Sequence, residues 1–196
     1  MGRILAFFNQ DKHLVSALRQ GNAKAQRQVY DRYAPNMLSI CVRYIGDRMQ
    51  AEDVMIEGLT KVFSKIDQFN GEGSLEGWIR RIIVNEALGY LRKQKRGMEE
   101  SLHLNAEYYA DGVAADADME AESLLSFIQE LPTGYRTVFN LYAIEGYSHK
   151  EISELLDISE STSKSQLHRA RQLLQKRLSI LDQEMYKLTN HDKASD

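Results

Sequence analysis

Cysteine is nearly absent from this 196-residue chain: Cys41 stands alone. No disulfide can close within it, and a reducing compartment suits it. Proline is almost as scarce, with only Pro35 and Pro132. Alternating β-branched runs are few as well, which argues against a sheet and predicts an all-α protein. Five scattered histidines without cysteine partners give no zinc spacing, so no metal and no cofactor is expected. No nucleophile–base set and no phosphate-cradling glycine loop is present, so no catalytic residue and no small-molecule substrate is expected. Long apolar runs are missing too. The patch from Ile4 to Phe8 is too short for a membrane span and lacks a cleavage pattern. It reads as a frayed end or a small docking patch on a cytoplasmic protein that does not insert into membranes.

The hydrophobic share, 43%, suffices for one or two small domains. The net charge of −3 looks wrong for a nucleic-acid binder, but its distribution is uneven. From Gly77 to Met98 the only acid is Glu86, against Arg80, Arg81, Arg92, Lys93, Lys95 and Arg96. Between Arg96 and Arg136 there is no lysine or arginine, and acids crowd the gap. Two basic surfaces are thus separated by an acidic stretch, and averaging hides both.

The segment from Ser148 to Leu174 reads as two short helices joined by a tight turn. Ser148 and Glu151 have capping-box spacing, which starts a helix at His149. Ile152, Leu155 and Leu156 give it one apolar face. The turn falls near Asp157, a residue that tolerates left-handed backbone. Ser159 caps the second helix, whose expected buried positions are Ser163, Leu167, Ala170 and Leu174. Ser163 in that row needs a hydrogen bond, for instance back to a helix carbonyl. No acid occurs between Glu160 and Asp182, so the helix is cationic and suits a phosphate-lined groove. This is the pattern of a helix-turn-helix with one helix in the DNA major groove. Ser161, Thr162, Lys164, Ser165, His168, Arg169 and Arg171 are its candidate DNA-contacting residues.

Upstream, apolar residues from Leu14 to Tyr44 recur at helical spacing, with a break at Gly21-Asn22. Gly46-Asp47 closes one helix, and Asp47 with Gln50 starts another that is expected to reach about Phe69. After the loop Asn70-Gly71-Glu72-Gly73-Ser74, a helix from Leu75 runs to about Lys95. Beyond Pro132-Thr133-Gly134, Val138, Phe139, Leu141 and Tyr142 line a further helix. Leu124, Leu125, Phe127, Ile128 and Leu131 supply the helix before it. The expected division is an end at 1–10, a domain at 11–97, a flexible acidic linker at 98–118, a second domain at 119–184 and a frayed tail at 185–196.

Residues 51–63, AEDVMIEGLTKVF, and 69–96, FNGEGSLEGWIRRIIVNEALGYLRKQKR, resemble region two of bacterial sigma factors. LPTGYRTVF at 131–139 and the helix-turn-helix resemble their region four. The layout without a middle domain resembles the extracytoplasmic-function (ECF) type. The resemblance covers the chain except for its ends and linker. It implies a factor without chemistry of its own that binds core RNA polymerase and directs it to a two-part promoter.

In that family the AED-type helix docks on a coiled-coil clamp of the polymerase. The resemblance assigns that contact to Glu52, Asp53, Met55, Ile56 and Glu57, with Leu59 as further apolar area. Capture and melting of the start-proximal element fall to Asn70, Gly71, Glu72, Gly73 and Ser74 in the loop. Arg80, Arg81, Asn85, Arg92, Lys93, Lys95 and Arg96 on the next helix join them. Trp78 is read mainly as a core residue sharing a face with Leu75 and Ile82. The linker is expected to thread toward the polymerase's nucleic-acid channels. An anti-sigma factor is an expected partner, with the polymerase-docking face its natural target. A monomer is expected when free, since no heptad repeat argues for a dimer. Four positions depart from the family pattern: Ile56 for a common glutamine, and Ser153, Asp157 and Ser163 for alanine, glycine and valine. Rival readings are a stand-alone DNA-binding regulator, which leaves residues 51–96 unexplained, a small helical hydrolase, and an adaptor that holds polymerase without opening DNA.

Overall fold

A computed structural model describes the backbone of residues 2–101 and 119–192, and the side chains of 11–96, 124–181 and Gln183. Every regular element among the described residues is helical. The chain divides into two compact units, Met1–Asp111 and Gly112–Asp196.

The first unit holds α1 (Gly2–Arg19), α2 (Ala23–Ile45), α3 (Arg48–Ser64), a 3-10 turn at Ile66–Gln68, and α4 (Leu75–Ser101). Asn22 starts α2 because its side chain accepts from the N–H groups of Lys24 and Ala25, at 2.9 and 3.2 Å. Gly46 ends α2 at φ +89°, a conformation that glycine enters without cost, and Asp47 then accepts from the Gln50 N–H at 2.8 Å to start α3. The reciprocal arm expected of Gln50 is used otherwise: its amide oxygen accepts from the Tyr90 hydroxyl of α4. α2, α3 and α4 pack on one another around Met37, Cys41 and Tyr44, Val54, Leu59 and Val62, and Ile79, Ile83 and Ala87. α3 and α4 approach closely at Gly58, where an added Cβ would lie 2.5 Å from the Ile83 Cδ1.

The second unit holds α5 (Met119–Gln129), α6 (Thr133–Phe139), a wide π-type turn at Asn140–Ile144, α7 (His149–Leu156) and α8 (Glu160–Asp192). Its core joins Ile128 and Leu131 to Ala170 and Leu174, with Phe127, Tyr135, Phe139 and Ile144 packed against them. Arg136 is buried here, and burial lowers its pKa. Its guanidinium donates to the Gln129 carbonyl at 2.6 Å, placing a cation at the C-terminal end of α5 where the helix dipole favours it.

Several expected limits shift. α3 stops at Ser64, and Ile66 and Phe69 turn inward across the 3-10 turn instead of extending the helix. α4 continues past Lys95 to Ser101, α1 already begins at Gly2, and α8 continues through the expected frayed tail to Asp192. Between Glu160 and Asp192 there is no glycine or proline, and lysine, glutamine, leucine and glutamate sustain the helix. Leu124 and Leu125, expected to supply α5, are 42% and 38% exposed, and the burial is carried by Ile128 of α5 and by Leu131 just beyond its end. Residues 102–118, with most of the expected linker, lie outside the described residues.

Candidate nucleic-acid and partner interfaces

On α3 one face is spent on the core. Ala51, Val54, Met55, Gly58, Leu59 and Val62 are buried. Met55, expected to meet a partner, is only 4% exposed, and Leu59 only 2%, so both are corrected to core residues. Ile56 is 52% exposed and keeps the expected outward position. Sequence reasoning passed over Met49, which is 72% exposed. Its spacing to Glu52 and Ile56, three and seven residues, is the signal that could have found it. Asp53 and Glu57 are exposed, whereas Glu52 is half-buried and paired with Arg48 at 3.2 Å. The outward face therefore combines two apolar side chains with carboxylates, and Arg48 tempers one of these.

Asp53 and Glu57 also border a cleft of about 410 Å³ shared with α4. Asn85, Arg92 and Lys93 line the same cleft, so residues read separately as partner-binding and strand-binding converge there. Lys61 and Glu86 pair across it at 2.5 Å. Tyr90 at its edge has its pKa raised, first by burial and then by the nearby charges of Asp47 and Asp53. Arg81, Lys95 and Arg96 are exposed on α4, and Arg80 is half-buried.

The loop from Asn70 to Ser74 is shaped by short bonds and two glycines. The Asn70 side chain accepts from the Glu72 N–H at 3.0 Å, and Gly71 and Gly73 hold φ of +81° and +78°. The Ser74 hydroxyl accepts from the Gly77 N–H at 3.0 Å and caps α4. Arg19 of α1 donates to the Phe69 carbonyl at 2.7 Å, which braces the loop's entry. Trp78 is half-buried and packs on Phe69 with ring centroids 5.5 Å apart. It thus sits on the margin of the core. Leu75 is fully buried and Ile82 only partly so. A hollow of about 580 Å³ lies between this loop, α1 and α2. Val15, Tyr33, Phe69 and Leu75 are its buried lining, and Lys12, Arg19 and Arg32 bring cationic groups that sequence reasoning did not assign.

The helix-turn-helix region forms as its local signals predict. The Ser148 N–H donates to the Glu151 carboxylate at 2.8 Å, and the Glu151 N–H donates to the Ser148 hydroxyl at 3.3 Å. The Ser148 hydroxyl also donates to the Glu151 carboxylate at 2.7 Å, and this bond first, then that from the Ser148 N–H, holds the Glu151 carboxyl below its ordinary pKa. Asp157 sits left-handed at φ 54° and ψ 51° and ends α7. The Ser159 hydroxyl accepts from the Thr162 N–H at 3.0 Å and starts α8. Ser163, Leu167, Ala170 and Leu174 are all buried. Ser163 does not bond back to a helix carbonyl in the expected way; its hydroxyl meets His149 Nδ1 of α7 at 2.9 Å. Ser161, Lys164, Ser165, His168, Arg169 and Arg171 are exposed, and Thr162 is half-buried. Lys164 pairs with Glu160 at 3.7 Å, and the Arg171 guanidinium lies 5.7 Å from the Tyr142 ring centre. Among the described residues no group of histidine, cysteine or acidic side chains is arranged to hold a metal ion. No described helix is long and apolar enough to cross a membrane.

Residues 29–97 match the family model described as Sigma-70 region 2, and residues 121–174 match that described as Sigma-70, region 4. The chain is 31% identical to the ECF RNA polymerase sigma-E factor of Haemophilus influenzae over 183 residues, 87% of this chain and 96% of the relative. It is 30% identical to the ECF RNA polymerase sigma factor SigW of Bacillus subtilis over 179 residues, 85% of this chain and 96% of the relative. Its fold is similar to that of the sigma factor RpoE from Bartonella quintana, solved in complex with the anti-sigma factor NepR. That likeness has a TM-score of 0.55 at 23% identity, over 79% of this chain and 96% of the other.

Proposed function

The chain belongs to the sigma-70 family, as a promoter-specific transcription initiation factor of the ECF type without enzymatic activity, and from that premise we propose a role for each surface. Residues 11–97 act as the region 2 domain, 119–184 as the region 4 domain, and 98–118 as the linker. The outward face of α3, with Glu52, Asp53, Ile56 and Glu57 and now Met49, docks on core RNA polymerase. The carboxylates meet a basic partner surface, and Met49 and Ile56 add apolar area around them.

The Asn70–Ser74 loop and α4 capture and melt the start-proximal promoter element. Glycine backbone allows a close approach to an extruded base. Arg80, Arg81 and Asn85 hold the unpaired strand, and Arg92, Lys93, Lys95 and Arg96 meet flanking phosphates. The exposed side chains of α8 from Ser161 to Arg171 read the distal element in the major groove. The factor works in the bacterial cytoplasm, and at the nucleoid when bound to polymerase. An anti-sigma factor covering the α3 face is the regulatory partner that suits this arrangement.

The observation that carries the proposal is the pairing, in one unit, of an acidic and apolar outward face on α3 with a basic α4. A stand-alone repressor has no use for it. The test is capture of core RNA polymerase by the purified chain beside a Glu52, Asp53 and Glu57 charge-reversal variant. Stoichiometric capture, lost in the variant, supports the proposal. No capture by the folded chain overturns it in favour of a DNA-binding regulator.

A further inference from the structure

We infer that Tyr142 and His149 are positioning residues for promoter contact: their stacked rings hold Arg171 of α8 in the orientation that meets DNA. The inference rests on the proposal that α8 reads the distal element.

The geometry runs through three elements. Tyr142 lies in the wide turn Asn140–Ile144, where the Glu145 N–H reaches back to the Asn140 carbonyl at 2.9 Å. Such five-residue turns are rare and cluster at functional places. The Tyr142 ring stacks on His149 of α7, with centroids 4.5 Å apart and planes 23° apart. His149 Nδ1 in turn meets the buried Ser163 hydroxyl in the first turn of α8. Arg171, further along α8, lies near the Tyr142 ring, where its cation is attracted to the π face.

Core packing alone does not account for the cluster. Both rings are half-buried, and the cluster ends on an exposed guanidinium. An exposed arginine ordinarily samples many rotamers and loses that freedom when it binds. One held beside Tyr142 is ordered before DNA arrives. The His149–Ser163 bond fixes the ring stack to the same helix that carries Arg171, so the arginine and the helix keep one register.

The test is a double-mutant cycle in full-length protein bound to core polymerase. The probe is a duplex bearing the distal element selected from random DNA by the wild-type holoenzyme. Tyr142→Leu and Arg171→Ala are each expected to weaken binding about threefold, the range of an exposed cation–π contact. The double variant should be no weaker than either single one, because the two residues act as one unit. Tyr142→Phe keeps the ring and should bind as wild type. If Tyr142→Leu does not fold, His149→Gln removes the stack from the other side while keeping a partner for Ser163, and the cycle is run with it.

Losses that multiply to about ninefold in the double variant overturn the inference. So does a Tyr142→Phe protein as weak as Tyr142→Leu. Either result leaves α8 as the reading helix. An Arg171→Ala protein with unchanged affinity removes Arg171 from the DNA surface and overturns the inference as well. Failure of the underlying proposal is visible separately, as unchanged affinity when Lys164 and Arg169 are both replaced by alanine.

Discussion

The Ser163 hydroxyl and His149 Nδ1 lie 2.9 Å apart and tie the first turn of α8 to the first turn of α7. Ser163 is wholly buried, so this bond is what makes a serine tolerable in the buried row of α8. Ser163→Val should leave the histidine nitrogen without its partner and lower stability by about 1–2 kcal/mol, despite the more apolar side chain. Urea melting followed by circular dichroism measures it. A Ser163→Val protein as stable as wild type would mean that the bond contributes nothing.

Gly58 and Gly89 are both helical glycines with opposite surroundings. A Cβ at Gly58 would lie 2.5 Å from the Ile83 side chain in the α3–α4 contact, and one at Gly89 would meet nothing within 4 Å. Gly58→Ala should lose about 1–3 kcal/mol through overpacking against buried Ile83, offset only in part by a helix-propensity gain of about 0.5–1 kcal/mol. Gly89→Ala should stabilise α4 by about 0.5–1 kcal/mol through propensity. Trp78, the only tryptophan, reports unfolding of this unit by fluorescence. Equal urea midpoints for the two variants would contradict the packing argument.

Met55 and Ile56 are adjacent in sequence, about 100° apart around α3, and 4% and 52% exposed respectively. Met55→Ala should destabilise the first unit by about 2–5 kcal/mol while it still captures polymerase at low temperature. Ile56→Lys and Met49→Lys should leave the melting curve within about 0.5 kcal/mol of wild type and weaken polymerase capture. A titration of core enzyme on each variant separates the two classes.

Much of this was legible in the sequence, for reasons that differ by position. The Ser148–Glu151 box, the left-handed Asp157 and the buried row from Ser163 to Leu174 are local, set by spacing within a helix or by one residue's backbone preference. Long-range partners are not written that way. That Ser163 needed a bond was plain, but His149 as the partner depends on how α7 crosses α8. Met55 was misplaced for a similar reason. Every residue of a short helix stretch can be claimed by one face until the packing of α4 decides which side is inside. The hollow beside the Asn70–Ser74 loop was hidden altogether, because α1, far away in sequence, supplies Lys12 and Arg19.

The capping box gives a pH dependence with a definite sign. Glu151 has its pKa lowered by the Ser148 hydroxyl first and the Ser148 N–H second. A carboxyl depressed on folding contributes stability that is complete above its unfolded pKa and is lost as pH falls through the folded value. Glu151→Gln mimics the protonated form. It should therefore melt below wild type at neutral pH, and the two should converge in acid beneath the usual carboxylate range. Thermal melts at a series of pH values check this. A gap that persists unchanged into acid would rule out the charge as its source.

Asp53 and Glu57 face the same cleft as Asn85, Arg92 and Lys93, so the acids proposed to meet polymerase sit beside cations proposed to hold DNA. At about 10 Å through water each carboxylate opposes a bound phosphate by about 0.4 kcal/mol. In the free chain that repulsion weakens single-strand binding. When a basic partner surface covers the acids, it is cancelled. A combined Asp53→Asn and Glu57→Gln variant should then bind single-stranded DNA about three- to fivefold more tightly than wild type in the absence of polymerase. The gain should shrink above about 0.1 M salt, where the Debye length is about 10 Å. The same variant should capture polymerase less well, so the two affinities move in opposite directions. Fluorescence anisotropy with a labelled single strand measures the first, and core-enzyme titration the second. An unchanged strand affinity at low salt would mean that the acids and the cations of the cleft act independently.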